Sequence, residues 1–189
     1  MEYHCRFLAK LVEKTRKKEQ KKKKKKVEFK EFSIDIPENP EIPGEIKEYD
    51  IANGTGVRVS LFVSGCRNHC EGCFNKDTWD FKYGKLFTES DENHIINSVN
   101  KPYIKGLSLL GGDPFEPENA EVLYPFILKF RSIFKFEKDI WLYTGYEFEY
   151  LIEKSKTDEN IKGILNNIDI LIDGKFKKDL KSLSIKFRG

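Results

Sequence analysis

Residues 57–75 read VRVSLFVSGCRNHCEGCFN, and this stretch decides the fold. Its first seven residues are rich in β-branched and aromatic side chains, and Gly54, Gly56 and Gly65 flank them, which is the pattern of a buried strand. Three cysteines follow this strand. Because ligand sites in parallel α/β folds form at the carboxyl ends of the strands, the stretch predicts a strand that carries a cysteine cluster to such a site.

Strand-like and helical patterns alternate through the rest of the chain. Further strands are predicted at 107–110, 140–143 and 168–172. Helical patterns lie between them, near 91–99, from 118 to 134, and in one or two segments between 147 and 165. Strands separated by such helices indicate βαβ units, and therefore an α/β fold with a parallel sheet or barrel. The roughly 145 residues from 45 to 189 are too few for eight strands and eight helices, so we expect an open, partial barrel.

The N-terminal part of the chain differs in charge from everything that follows. The whole chain has a net charge of +3, but residues 1–30 contain 13 Lys and Arg against 4 Glu, including six consecutive lysines at 21–26. Such a run repels itself and has nothing to bury, and the three prolines between 37 and 44 indicate an extended linker. We therefore expect residues 1–44 to be a flexible, Lys-rich basic extension and residues 45–189 to be the functional domain.

Composition also bears on partners and compartment. Polybasic segments can bind nucleic acid or anionic membranes, but this one lacks interleaved aromatic residues, so nucleic acid is not expected as a partner. A tail that keeps the protein in solution, or that touches an acidic partner surface, is favoured. The sequence has neither a run of about 18 apolar residues nor a secretion leader, which predicts no membrane association and a cytoplasmic location.

The chemistry rests on three closely spaced cysteines. Cys66, Cys70 and Cys73 form a C-x3-C-x2-C pattern, and thiols this close cannot form a paired disulfide framework. Metal binding is the natural interpretation. Structural zinc sites and ordinary cubane clusters use four ligands, whereas three thiols would leave one iron of a [4Fe-4S] cluster open. The alternative is a zinc knuckle whose fourth ligand is His69, His4 or Cys5.

A glycine turn stands at the end of the second predicted strand. Gly111, Gly112, Asp113 and Pro114 follow 107–110 directly, and two residues without side chains expose backbone amides and carbonyls to a ligand. By itself such a tetrapeptide is only a tight turn in most proteins. Its position after the next strand, however, predicts that it faces the cysteine loop across the open end of the sheet.

These motifs resemble those of the radical S-adenosylmethionine enzymes. The fuller pattern is similar to one branch of them, the family that activates anaerobic ribonucleoside-triphosphate reductase. The resemblance covers about residues 45–189, in order. The strings that carry it are DIANGTGVR (50–58), FVSGC (62–66), CEGCFNK (70–76), TW (78–79), LSLLGGDP (107–114), WLYTGY (141–146) and DGKF (173–176).

The resemblance implies a set of cofactors and their ligands. Cys66, Cys70 and Cys73 are expected to bind three irons of a [4Fe-4S] cluster, and S-adenosyl-L-methionine is expected to chelate the fourth. The residues expected to contact this cofactor are Gly72, Cys73, Phe74, Gly111, Gly112 and Asp113. No catalytic residue beyond the cluster and cofactor is implied, because the protein contributes placement and water exclusion to such chemistry.

The resemblance also implies a reaction and its partners. An electron from the reduced cluster cleaves the cofactor to a 5′-deoxyadenosyl radical, which removes a hydrogen atom from a glycine of the large reductase subunit. The expected electron donor is a reduced flavoprotein. Two alternatives stay open: an activase of another glycyl-radical enzyme, of the formate-lyase type, and a non-catalytic zinc-binding interaction module.

Several other residues have more than one interpretation. Arg58 and Lys175 would hold the cofactor carboxylate or the partner, or else be solvated charges near strand ends. The NGTG segment at 53–56 is expected to be a turn, and His69 to be a donor to a cluster sulfur or a surface residue. Trp79 and Trp141 are expected to be packing residues.

Overall fold

The computed structural model describes residues 44–180, which form a mixed sheet and its helices. The five strands in this range are β1 (Gly44–Asp50), β2 (Val57–Val63), β3 (Ile104–Gly111), β4 (Asp139–Tyr143) and β5 (Ile170–Ile172). The four α-helices are α1 (Glu89–Val99), α2 (Pro117–Phe134), α3 (Phe148–Lys154) and α4 (Glu159–Asn167), with short 3-10 helices at Lys76–Trp79 and Lys178–Leu180. None of these helices has the length and apolarity that a membrane crossing requires. The extension predicted for 1–44 lies outside the described residues, apart from Gly44.

The sheet is parallel except at one edge. Its strands lie in the order β1-β2-β3-β4-β5, with β2 to β5 parallel and β1 antiparallel to β2. Every connection between parallel strands contains at least one helix, as βαβ units require. The segment 53–56 is part of the turn between β1 and β2, as expected. The predicted α/β fold with a parallel sheet is therefore confirmed.

β1 is a strand that the sequence did not indicate. Ile46 is the one aliphatic side chain that it packs against the core. Its place in the sheet comes from backbone pairing with β2, from Gly44 opposite Val63 to Asp50 opposite Arg58. The segment GEIKEYD lacks the alternating apolar side chains from which a strand can be recognised, so it has no strand signal in the sequence.

One face of the sheet forms an apolar core with the helices. β2, β3 and β4 contribute alternate residues with almost no exposure, namely Val59, Leu61, Leu107, Leu109, Ile140 and Leu142. α2 contributes a stripe that recurs every three or four residues, namely Leu123, Phe126, Ile127, Phe130 and Phe134. Each such side chain stabilises the fold by about 2 kcal/mol on burial, so this face supplies most of the stability.

The opposite face of the sheet is polar and is organised by Arg58. This side chain is completely buried; its Nε donates to Ser108 Oγ (2.7 Å) and its Nη2 to the Leu107 carbonyl (2.8 Å). Nη2 also lies 2.6 Å from an Asp139 carboxylate oxygen, and the guanidinium carbon lies 5.1 Å from the centre of the Trp141 ring. The expectation of a solvated charge at Arg58 is wrong, because the guanidinium joins β2, β3 and β4.

Candidate functional site

A cleft of about 780 Å³ opens at the carboxyl ends of the parallel strands. The cysteine loop and the glycine turn line it, together with residues that follow β4 and β5. From the predicted site it contains Cys66, Cys70, Cys73, Phe74, Gly111, Gly112 and Asp113. Gly72 does not line it, and a side chain there would meet Phe176 and Lys178 at 3.4 Å. Sites for small molecules typically measure roughly 300–1,000 Å³, so a cofactor-sized ligand fits this space.

The cysteine loop is shaped by backbone hydrogen bonds to the 3-10 helix that follows it. The Gly65 N–H donates to the Thr78 carbonyl (2.8 Å), and the Cys66 N–H donates to the Trp79 carbonyl (3.2 Å). Gly65 has a φ of +92°, and a Cβ at this position would lie 2.3 Å from the Phe81 ring. The chain therefore needs glycine immediately before the first cysteine.

The glycine turn packs directly against the start of the cysteine loop. The Gly112 N–H donates to the Val63 carbonyl (2.6 Å), and the Asp113 N–H donates to the Gly65 carbonyl (2.9 Å). A Cβ on Gly112 would lie 2.5 Å from the Gly65 carbonyl oxygen. Close approach of the two loops thus requires glycine at this position.

Asp113 links three segments around the cleft, an arrangement that we call the Asp113 clamp. The carboxylate is completely buried and accepts hydrogen bonds from Asn68 Nδ2 (2.9 Å), Thr144 Oγ1 (2.8 Å), and the backbone N–H groups of Gly145 (2.9 Å) and Phe115 (3.0 Å). Burial raises the pKa of Asp113 to about 6. The cofactor contact expected of Asp113 stays a prediction; in this structure its carboxylate positions the cysteine loop.

Glu116 holds the same loop from a second side, an arrangement that we call the Glu116 clamp. Its buried carboxylate accepts from the Arg67 backbone N–H (2.7 Å) and from Tyr146 Oη (3.1 Å), and it pairs with the Arg67 guanidinium. Arg67 also pairs with Glu118 and lies over the Phe81 ring, 4.3 Å from its centre. Burial raises the pKa of the Tyr146 hydroxyl, so this group stays a donor at neutral pH.

The three thiols are free and do not surround a single point. Burial raises the pKa of the Cys66 thiol, whereas Cys70 and Cys73 are half-buried, and none of the three forms a disulfide. Within residues 44–180, no three side chains of Cys, His, Asp or Glu converge where one metal ion could sit. A four-iron cluster takes one thiolate at each of several separate irons, so three free thiols on one loop are by their chemistry a donor set that fits it.

The remaining predicted residues have distinct environments. His69 is exposed and stacks on Trp79 with 4.5 Å between ring centres, which places it at the surface of the loop. Trp141 is buried, as expected of a packing residue. Lys175 is exposed and lines the cleft, so both interpretations of it stand. His4 and Cys5, the other suggested zinc ligands, lie outside the described residues.

Comparison with known proteins identifies the family. A family model described as a 4Fe-4S single cluster domain matches residues 52–189. The anaerobic ribonucleoside-triphosphate reductase-activating protein of Escherichia coli (strain K12) is 43% identical over 145 residues, which cover 74% of this chain and 88% of the relative. That of Pasteurella multocida (strain Pm70) is 44% identical over 142 residues, covering 74% and 87%. That of Enterobacteria phage T4 is 42% identical over 131 residues, covering 69% and 78%.

The chain belongs to the family of anaerobic ribonucleoside-triphosphate reductase-activating proteins. The resemblance found in the sequence is thereby confirmed, as is the prediction of a 4Fe-4S domain. Membership also confirms the prediction of an iron–sulfur activating enzyme of the glycyl-radical type. The Asp113 clamp and the Glu116 clamp are additions that sequence reasoning missed, because their members are distant along the chain and follow no local pattern.

Proposed function

We propose that this protein cleaves S-adenosylmethionine reductively and so generates the glycyl radical of anaerobic ribonucleoside-triphosphate reductase. The observation that carries this proposal is the shared cleft, in which three thiols on one loop meet a glycine turn at the carboxyl ends of parallel strands. Family membership supplies the target, since the relatives are named as activating proteins of that reductase. We further infer that the sheet is an open barrel, which leaves one side for a large protein substrate.

Three free thiols on one loop support a cluster with one open iron as the cofactor. Cys66, Cys70 and Cys73 would each hold one iron, and S-adenosylmethionine would occupy the fourth. The cofactor would then lie against Phe74 and against Gly111, Gly112 and Asp113 of the glycine turn. Gly72, the other predicted contact, precedes Cys73 but does not itself line the cleft. The volume of about 780 Å³ is large enough for a cofactor of this size.

The protein's own contribution is to place and enclose the reactants. When bound, the cluster would supply the electron for reductive cleavage of the sulfonium bond to the 5′ carbon of S-adenosylmethionine. The products would be methionine and a 5′-deoxyadenosyl radical, which would take a hydrogen atom from the reductase glycine and leave the glycyl radical. The Asp113 clamp and the Glu116 clamp fix the loop between the first two cysteines, through Asn68 and Arg67. A rigid loop holds the ligands at constant positions and limits entry of water.

A reduced flavoprotein is the electron donor that we propose, and the charge pattern suggests where it binds. Residues 174–189 contain six Lys and Arg against one Asp, whereas residues 31–173 contain 15 Lys and Arg against 26 Asp and Glu. Lys177 and Lys178 are exposed, and Lys178 Nζ lies 3.7 Å from Glu71 in the cysteine loop. A basic surface beside the cysteine loop favours an acidic electron donor.

The free thiols bear on the cellular compartment. Because thiols stay reduced in the cytoplasm, we propose that the protein acts there.

Charge reversal tests this donor surface. The variant Lys177→Glu/Lys178→Glu should slow cluster reduction by an acidic flavoprotein about tenfold at low salt, and much less at high salt. Its rate with a small chemical reductant should not change. The matched control, Lys105→Glu/Lys154→Glu, alters two exposed lysines on other elements, β3 and α3, and should behave like the wild type. Equal slowing in both double variants would reject the docking site.

The central proposal is tested by anaerobic reconstitution with iron and sulfide. Wild-type protein should be brown, cleave S-adenosylmethionine to 5′-deoxyadenosine under reducing conditions, and produce a glycyl radical on the reductase by electron paramagnetic resonance. Cys70→Ala should lose colour and activity, whereas Cys5→Ala, outside the loop, should keep both. A colourless protein that holds stoichiometric zinc would favour the zinc-binding module instead. A radical on a formate-lyase type enzyme, and none on the reductase, would favour the other activase.

A further inference from the structure

Tyr143 has an unusual position on the polar face of the sheet. It is the last residue of β4 and lines the cleft that holds the cysteines. Its hydroxyl oxygen is buried and has no hydrogen-bond partner among residues 44–180. A buried polar group without a partner is costly, so such a group in a native structure needs an explanation.

Neighbouring hydroxyl groups on this face of the sheet and at its open end are all bonded. Ser60 Oγ donates to Asp50 (2.6 Å), Ser108 Oγ donates to the Asn53 carbonyl (2.6 Å), and Thr144 Oγ1 donates to Asp113 (2.8 Å). Each of these three hydroxyls therefore has a protein partner. The exception at Tyr143 lies where a ligand would enter.

The electrostatic surroundings keep this phenol protonated. The pKa of Tyr143 is raised to about 12, mainly by burial; the Arg58 guanidinium opposes this change, and Asp50 adds a smaller increase. At neutral pH the group is thus a hydrogen-bond donor in a half-buried setting. An oxygen acceptor on the ligand would satisfy it.

We propose that the Tyr143 hydroxyl donates a hydrogen bond to an oxygen of S-adenosylmethionine bound in the cleft. This inference rests on the proposed function, because it takes that cofactor to be the ligand. The acceptor is the methionyl carboxylate or a ribose hydroxyl. Both groups carry acceptor oxygens, and Tyr143 lines the cleft in which the cofactor would bind. Tyr143 is then a binding and positioning residue for the cofactor and takes no part in electron transfer.

The substitution Tyr143→Phe separates this role from a structural one. It removes only the hydroxyl, and since that hydroxyl has no protein partner, the thermal midpoint of the variant should be unchanged or higher. The dissociation constant for S-adenosylmethionine, measured by anaerobic equilibrium dialysis of the cluster-loaded full chain, should rise about tenfold. Tyr150→Phe is the matched control, because Tyr150 is on α3, 46% exposed and not among the residues that line the cleft.

Competing probes locate the acceptor. If the variant loses affinity for methionine, the acceptor is the carboxylate; if it loses affinity for 5′-deoxyadenosine, the acceptor is on the ribose. If the wild type binds S-adenosylmethionine and Tyr143→Phe binds it equally well, the inference is wrong while the proposed function stands, and the hydroxyl is bonded to water. If the wild type with its cluster does not bind S-adenosylmethionine, both fail.

Discussion

Asp113 and Glu116 hold the cysteine loop with different kinds of partner. Both carboxylates are completely buried, and they bind the adjacent loop residues Asn68 and Arg67, which stand between the first two cysteines. Asp113 accepts from neutral donors, such as the Asn68 amide and the Thr144 hydroxyl. Glu116 instead pairs with the guanidinium of Arg67, whose side chain is 54% exposed. The loop is thus fixed once by directed neutral hydrogen bonds and once by an ion pair.

The two clamps therefore allow the effect of hydrogen-bond geometry on the cysteine loop to be measured separately from the effect of charge. The Asp113 clamp is enclosed, so its strength depends on the direction of each donor and on the ionisation of the carboxyl group. The Glu116 clamp ends at a guanidinium in contact with solvent, so salt screens part of its strength. The two clamps should therefore respond differently to an isosteric change, to pH and to salt.

The largest effect is expected from Asp113→Asn. Whichever oxygen the new amide nitrogen replaces, it would face a buried backbone N–H, that of Phe115 at Oδ1 or that of Gly145 at Oδ2, and this N–H would lose its acceptor. We expect the free energy of unfolding, measured with urea, to fall by about 3 kcal/mol, and cluster content after reconstitution to fall with it. Asp179→Asn, at an exposed position, is the control and should change stability by less than about 0.5 kcal/mol. If the two variants are equally stable, the Asp113 clamp does not stabilise the fold and this prediction is wrong.

The pH dependence of stability should expose the buried carboxyl group of the same clamp. Because burial raises the pKa of Asp113 to about 6, the folded protein binds this proton more tightly than the unfolded chain does. Its contribution to stability is full below about pH 4 and is lost as the pH rises through 6. The stability of the wild type relative to Asp113→Asn should therefore decrease by about 2–3 kcal/mol between pH 4 and 7. A difference that grows with pH would show that the carboxylate is better solvated than its burial indicates.

A smaller effect is expected from Glu116→Gln, and it should depend on salt. The amide oxygen can still accept from the Arg67 N–H and from Tyr146, while the guanidinium keeps its pair with Glu118. We expect a loss of about 1–2 kcal/mol in urea unfolding at low salt, which shrinks at high salt because the lost pair is partly exposed. If the loss is the same at both salt concentrations, charge is not what distinguishes the two clamps.

The sequence predicted those parts of the fold that local pattern controls. β2, with its β-branched and aromatic run, has the predicted bounds, Val57–Val63, and the apolar stripe of α2 marks a helix that ends at Phe134 as expected. β1 was missed, because backbone pairing rather than side-chain pattern forms it. Arg58 was misjudged for a related reason: its partners, Ser108 and Asp139, come from other strands.

The candidate site divides in the same way. Cys66, Cys70 and Cys73 are recognisable because a chelating loop has a fixed spacing, and the fold brings them beside the glycine turn as expected. Glu116 gave no signal, since it acts on a distant loop. Tyr143 stands in one of the family-like strings, but nothing in the string marks its hydroxyl, which only the structure shows to lack a partner among the described residues. Such roles depend on three-dimensional contacts that no local pattern of one sequence records.

The smallest and most direct comparison removes one donor from each clamp. Asn68→Ala takes a hydrogen bond of 2.9 Å from Asp113, and Tyr146→Phe takes one of 3.1 Å from Glu116 while keeping the ring and its stacking on Tyr150. We expect losses of about 1.5 kcal/mol for Asn68→Ala and about 0.5–1 kcal/mol for Tyr146→Phe in urea unfolding. The order follows because Glu116 still has the Arg67 guanidinium, whereas Asp113 is left with neutral donors alone. Equal losses would mean that the half-exposed guanidinium compensates no better than the neutral donors, and that geometry alone governs both clamps.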